Sequence, residues 1–256
     1  MAQTTKKIAL ITGGSRGLGK NMALNIAQKG INVIITYNSK QDEAFAVVEE
    51  IKKAGQHAVA LQLTVGDMKA LPVFIDQLKT TLANEFNTDK FDYLINNGGS
   101  NFVIPSFAET TEDQFDALLN IHFKGVYFLT QKSLPLLNDN GGIVNISTGL
   151  TRFVNPGSGT YASMKSSIEV LTMYLAAELG KRGINVNVIA PGPIATDFSG
   201  GRLRDTPAIQ EHIKSVTAIP RIGQPDDIGG VVAFLCTPDA KWVTAQRIEV
   251  SGGIHI

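Results

Sequence analysis

The chain has 256 residues, 43% of them hydrophobic, with 25 glycines, a single cysteine and a formal net charge of zero. That length admits one large α/β domain or two small ones, and the balanced charge gives nucleic acid or an anionic membrane no electrostatic reason to bind. One cysteine excludes an internal disulfide and a multi-cysteine metal site; no apolar run reaches membrane-spanning length, and the five-residue apolar stretch behind Met1–Lys7 is too short for a secretory signal, so a reducing, cytoplasmic setting is expected.

Ile8-Ala9-Leu10-Ile11-Thr12 reads as a buried strand and leads into a helix from about Gly17 to Lys29. A second strand is expected over Asn32–Tyr37, followed by a helix whose apolar stripe is Ala44, Val47, Val48 and Ile51. Strands three and four fall at His57–Leu63 and Phe91–Asn96, with helices from about Asp67 to Glu85 and from Thr111 to Leu137 on either side of the fourth. Gly142–Ile146, Asn185–Ala190 and Arg247–Val250 complete seven strands. Strands that are apolar throughout, alternating with helices, predict a doubly wound parallel sheet with right-handed crossovers, built as a single domain over the whole chain. The long polar connection from Pro193 to Pro220 is expected to be a substrate lid. Cys236, in the run Val231-Val232-Ala233-Phe234-Leu235-Cys236, reads as a packed core thiol.

Two motifs carry chemistry. Directly after the first strand, Thr12-Gly13-Gly14-Ser15-Arg16-Gly17-Leu18-Gly19 offers glycines where backbone N–H groups can approach a pyrophosphate at a helix start. Further on, Tyr161 and Lys165 stand four residues apart, on one face of any helix that contains them. A neighbouring ammonium favours the phenolate, so the pair is expected to make Tyr161 a usable proton donor and acceptor. His57, His122, His212 and His255 are scattered without ligand spacing, and no metal site is expected.

The glycine turn and the Tyr-x-x-x-Lys pair together resemble the short-chain dehydrogenase/reductase family. Asn96-Asn97-Gly98-Gly99 is similar to that family's Asn-Asn-Ala-Gly segment, and Ile189-Ala190-Pro191-Gly192-Pro193-Ile194 to its Pro-Gly segment beside the nicotinamide. The likeness runs in order from about Lys7 to Gly253. It implies a Rossmann-type seven-stranded parallel sheet in the order 3-2-1-4-5-6-7, with helices on both faces and a dinucleotide across the carboxyl edge of the strands. It also implies cofactor contacts from Gly13, Ser15, Arg16, Gly17, Leu18, Gly19, Asn97, Gly98, Gly99, Tyr161, Lys165, Pro191, Gly192, Ile194 and Thr196.

An NAD site offers an acid at the end of the second strand for the ribose hydroxyls. Here Thr36-Tyr37-Asn38-Ser39-Lys40 has none, so Asn38 and Ser39 are expected to accept a 2′-phosphate, with Arg16 turned to the same corner as in relatives that use NADP. Thr64-Val65 stands where relatives carry Asp-Val against the adenine. NADP(H) is therefore the expected cofactor.

By resemblance, the tyrosine protonates a carbonyl oxygen as hydride reaches its carbon, the lysine supports it, a hydroxyl holds the oxygen, and a helical asparagine fixes a relaying water. Tyr161, Lys165 and Asn120 match three of these parts, and a mid-helix asparagine is otherwise a poor choice. Relatives have a serine thirteen positions before the tyrosine; this chain has Thr148 there, with Ser147 one residue earlier as the alternative. His122, two residues past Asn120, is expected to point to another face as a packed or surface side chain.

The reading that results is an NADPH-dependent reductase of a small ketone or aldehyde, reversible as an alcohol dehydrogenase. A 3-oxoacyl carrier-protein reductase is one specific form of it, disfavoured because Leu134–Gly142, taken as a rim of the entrance, carries Asp139 and no Lys or Arg. The alternative from another class is a catalytically silent NADP(H)-sensing protein of the same fold. A homotetramer is implied by resemblance, and the apolar ending Ile248–Ile256 is compatible with a subunit contact.

Overall fold

A computed structural model describes residues 6–100 and 106–256. The residues 1–5 that opened the reading of the amino terminus lie outside them. Seven parallel strands form one sheet in the order β3-β2-β1-β4-β5-β6-β7, as expected. They are β1 Ile8–Ile11, β2 Asn32–Tyr37, β3 Ala58–Gln62, β4 Phe91–Asn96, β5 Leu137–Ile146, β6 Asn185–Pro191 and β7 Arg247–Val250. The helices are α1 Gly17–Gln28, α2 Gln41–Lys53, α3 Leu71–Phe86, α4 Glu112–Leu119, α5 Gly125–Ser133, α6 Gly159–Leu179, α7 Arg202–Asp205, α8 Pro207–Ser215 and α9 Asp226–Leu235.

Alternation along each strand divides the core in two. Ala9 and Ile11 pack with α1, α2 and α9 on one face, while Ile8 and Leu10 pack with α3, α5 and α6 on the other. Burial on both faces is why the strands read as unbroken apolar runs. Cys236 lies in the first of these layers, and burial raises its thiol pKa far above the usual range.

Three boundaries differ from expectation, each for a local reason. The third helix starts at Leu71, because the Asp67 carboxylate accepts from the N–H groups of Lys69 and Ala70 and holds a turn ahead of Pro72. Strand β5 begins at Leu137 instead of Gly142, through a register shift opposite Phe91 and Tyr93. The buried Asp92 carboxylate bridges that irregularity, accepting from Lys7 Nζ, the Ile8 N–H and Asn138 Nδ2 at 2.8–3.0 Å. The single helix expected over 111–137 is instead α4, a π-helical turn at Asn120–Lys124, α5 and a short 3₁₀ turn.

The topology also overturns the entrance argument. Leu134–Gly142 lies at the amino end of β5, opposite the carboxyl edge where the chemistry-bearing residues gather, so its charges say nothing about the substrate. The 193–220 connection is not structureless: it carries α7 and α8, with Ile194 bridged to Gly223 and Thr217 to Ile254.

Candidate active site

The glycine turn is closed to side chains on both sides. A Cβ on Gly13, whose φ is +67°, would come within 2.9 Å of Gly98 Cα, and one on Gly19 within 2.0 Å of the Gly13 carbonyl oxygen. Asn97 fastens the turn from β4, its Nδ2 donating to Thr12 O at 2.9 Å and to Gly13 O at 3.2 Å. Arg16 is the extended N-cap of α1 and makes no side-chain cap bond. The first-turn N–H groups of Gly17, Leu18 and Gly19, beside Ser15, therefore face outward with the helix dipole behind them, a cradle that fits a pyrophosphate.

The far corner fits an adenosine end without an acid. Asn38 and Ser39 are exposed after β2, and Thr64 Oγ1 donates to Asn38 Oδ1 at 2.7 Å. Val65 packs on Gly98, 2.9 Å from the position a Cβ would take there. Arg16 is half-exposed, and its Nη1 lies 3.6 Å from Asp197 Oδ2. Thr196 comes within 3.8 Å of where a Gly17 Cβ would sit, so the segment that follows β6 closes over the glycine turn. Pro191 extends β6 beside Val250, and the Gly192 N–H donates to the Val250 carbonyl at 3.0 Å.

On α6, Tyr161 and Lys165 share one buried face, 8% and 4% exposed, with Lys165 Nζ 5.8 Å from the phenol ring centre. Lys165 Nζ donates to the Ile146 carbonyl at 2.7 Å, fixing the ammonium at the end of β5. Burial lowers its pKa to about 8, because the charged form loses hydration. The expected electrostatics is corrected at Tyr161: burial pushes the phenol well above its usual range, and the hydroxyl of Thr148, not Lys165, is the group that pulls it back. Desolvation outweighs a cation held some distance away by a carbonyl.

The structure separates the two candidate hydroxyls. Thr148 turns toward the Tyr161 phenol and caps the 3₁₀ turn Gly149–Thr151, accepting from the Leu150 N–H at 3.3 Å. Ser147 turns the other way and donates to Glu169 Oε1 at 2.6 Å. The same carboxylate accepts from Thr151 Oγ1 at 2.8 Å and Arg247 Nε at 2.9 Å, a network that braces the loop carrying Thr148.

The structure also places the helical pair at 120 and 122, with His122 packed, as expected. Asn120 and Ile121 back onto Gly66, and among the described residues no hydrogen bond joins the Asn120 side chain to Tyr161 or Lys165. His122 is the one that reaches them. It is fully buried, its ring stands edge-on to Tyr161 with centres 5.0 Å apart, and Lys165 acts on it electrostatically. The two do face different ways, but the π-helical turn aims His122 inward. Gly125 was the readable sign: a Cβ there would meet the Val65 carbonyl oxygen at 2.3 Å, so the helix is pressed against the loop after β3. Among the described residues no group of three or more His, Cys, Asp or Glu could hold a metal.

A doubly wound parallel domain with a glycine cradle for phosphate and a buried tyrosine–lysine pair at the same sheet edge belongs to the class of dinucleotide-binding enzymes. Comparison with known proteins specifies it. Residues 13–255 match a family model described as enoyl-(acyl carrier protein) reductase, and the chain belongs to the short-chain dehydrogenase/reductase family. It is 36% identical over 259 residues to a 3-oxoacyl-[acyl-carrier-protein] reductase, FabG, of Staphylococcus aureus, with 98% of each chain covered. Among solved structures it is similar to the angucycline C-6 ketoreductase LanV with bound NADP (32% identity, TM-score 0.91, covering 97% of this chain and 95% of LanV). It is also similar to the reductase LugOII, which catalyses keto-reduction at C1 during lugdunomycin biosynthesis (31% identity, TM-score 0.93, both chains covered in full).

Proposed function

We propose that this NADP-dependent oxidoreductase reduces the carbonyl group of a small ketone or aldehyde, and runs in reverse as an alcohol dehydrogenase. The observation that carries the reading is the meeting of Tyr161, Thr148 and Lys165 at the sheet edge that also holds the phosphate cradle. NADP(H) is supported by Arg16 in the glycine turn, by Asn38 and Ser39 in place of an acid, and by the NADP bound in LanV. Gly13, Ser15, Gly17, Leu18, Gly19 and Asn97 would hold the phosphates, with Gly98, Gly99, Pro191, Gly192, Ile194 and Thr196 lining the nicotinamide side.

When bound, NADPH supplies the hydride for the carbonyl carbon. The chain's own residues handle the proton. Burial keeps Tyr161 protonated at neutral pH, so it is poised to give its O–H to the carbonyl oxygen as charge develops there. The Thr148 hydroxyl stands beside the phenol to donate to the same oxygen. Lys165, charged below about pH 8, offsets the negative charge left on Tyr161 after transfer. Asn120 keeps the part implied by resemblance, that of fixing a water that relays protons to Lys165.

A second reading, reduction of a 3-oxoacyl thioester carried on an acyl carrier protein, is favoured by the 36% identity to the Staphylococcus aureus enzyme. An assay of NADPH oxidation over a panel of free ketones and a carrier-bound 3-oxoacyl thioester, with Tyr161→Phe beside the wild type, separates the readings. Turnover lost in the variant supports the reductase; tight NADPH binding without turnover by either protein would favour the silent sensor. The protein is further read as a homotetramer, supported by the exposed apolar side chains of Tyr127, Val170, Met173 and Tyr174 on α5 and α6. A cytoplasmic setting is in keeping with its lone, buried thiol.

A further inference from the structure

His122 is a buried imidazole whose two nitrogens have opposite circumstances. Nε2 lies 2.5 Å from the Ser100 carbonyl oxygen. A carbonyl only accepts, so Nε2 carries the ring proton and Nδ1 is left with a bare lone pair. Nδ1 is fully buried and has no hydrogen-bond partner among the described residues. A buried acceptor without a donor costs on the order of 1–3 kcal/mol, so its environment should supply one.

Lys165 is the cation that acts on this ring. An ammonium has three N–H groups, and Lys165 spends one on the Ile146 carbonyl. The spare donors and the spare acceptor belong to one buried cluster, joined by Tyr161, whose ring contacts the imidazole and lies beneath the ammonium. The imidazole's seat is shaped for it. Gly99 leaves room that a Cβ would remove, at 2.9 Å from His122 Cε1, and the π-helical turn points the side chain inward.

We propose that His122 is a positioning residue of the reacting pair: anchored on Ser100 through Nε2–H, it offers Nδ1 as the acceptor for a water that takes a spare Lys165 N–H, and so holds the ammonium charged and aligned beside Tyr161. The inference rests on the reading of the site as a carbonyl reductase. Only a neutral imidazole can do this. Burial first, and then the charge of Lys165, lower its pKa to about 3, so it stays neutral wherever Lys165 is charged and the protein is assayed. Among the described residues the titratable groups facing it are Tyr161 and Lys165, both from α6, and the described part of the segment after β4 presents Gly99 and the Ser100 carbonyl.

His122→Phe keeps a ring against Tyr161 and removes both nitrogens; His122→Gln restores an acceptor. A bond to an ammonium is worth about 1.5–3 kcal/mol, so in His122→Phe the alkaline fall of the reduction rate should move about one to two pH units lower. At pH 7 kcat should drop about twofold to tenfold, with NADPH affinity within about threefold of the wild type, and His122→Gln should recover most of both effects. Independently of any cofactor, ¹⁵N NMR of the wild-type protein should show His122 as the Nε2–H tautomer, unchanged from pH 5 to pH 8. An imidazole that titrates in that range overturns the proposal, even if His122→Phe fails to fold. So does an unmoved alkaline limb with kcat within about twofold. A wild type that binds NADPH but reduces nothing sinks the reductase reading itself, and this inference with it.

Discussion

Arg16, at the start of α1, and Asp197, beyond β6, form an ion pair with 3.6 Å between their charged atoms. Asp197 also pairs with Arg204 on α7, so one carboxylate ties the glycine turn to the 193–220 connection. The pair occupies the guanidinium that a 2′-phosphate would need. Arg16→Ala should therefore weaken NADPH binding about tenfold to a hundredfold while changing NADH binding by less than about threefold. Asp197→Asn should tighten NADPH by about two- to fivefold, the range of an exposed ion pair, and the gain should vanish in high salt. Fluorescence titrations of both cofactors check this, and a proportional loss of NADH and NADPH in Arg16→Ala would contradict it.

Lys165 sets a second expectation because its charge is held in a buried place. Its folded pKa is about 8, against 10.5 when exposed. Between these values the unfolded chain binds more protons, so unfolding free energy should rise with pH across that window; below pH 8 the whole penalty, roughly 3 kcal/mol, is present. Catalysis runs the other way. Reduction should be level below about pH 8 and fall toward tenfold per unit above it, as the ammonium is lost. Lys165→Met should be inactive yet stabler at pH 7 by about 1–3 kcal/mol, measured by urea unfolding. A destabilised Lys165→Met would mean that the bond to Ile146 outweighs the burial of charge.

The strand order and the glycine turn were legible in the sequence because they depend on periodicity and on local conformation, such as the positive φ of Gly13. What escaped depends on contacts between distant segments. The early start of β5 needs the Asp92 carboxylate to bridge Lys7, Ile8 and Asn138, none of them near it in sequence. The π-helical turn that brings in His122 and leaves Asn120 facing Gly66 is a response to packing against the loop after β3, which no helical period announces. The phenol's pKa was misjudged because spacing reports a neighbour's charge and not the depth at which both groups are buried.

Thr148 and Ser147 differ in what they hold, and substitutions should separate them. Thr148→Val removes the hydroxyl facing Tyr161 and should lower kcat by about a hundredfold with little change in melting temperature, while Thr148→Ser should keep most activity. Ser147→Ala deletes the donor to Glu169 and should cost about 1–2 kcal/mol of stability. Its kcat should fall only severalfold, because Thr151 and Arg247 still brace the loop through the same carboxylate. Steady-state kinetics beside thermal melts decide it; the opposite pattern would return the oxygen-holding role to Ser147.

The outer face of α6 supplies the last expectation. Tyr174 is 64% exposed and Met173 51%, and with Val170, Leu171 and Phe123 of the neighbouring π-helical turn they leave an apolar surface that water covers poorly. This face is directed away from Tyr161, on the side of α6 that does not touch the sheet, so charging it should spare the reacting groups while breaking contact between copies. If the proposed homotetramer forms through this face, Tyr174→Glu should give a smaller species than the wild type in light scattering at micromolar concentration, with a lower melting temperature through the lost mass action. NADPH binding should hold within about threefold, since the glycine turn lies on other elements. A variant that keeps the wild-type mass would assign the subunit contact elsewhere, the free edge of β7 and the exposed Ile256 being the next surface to charge.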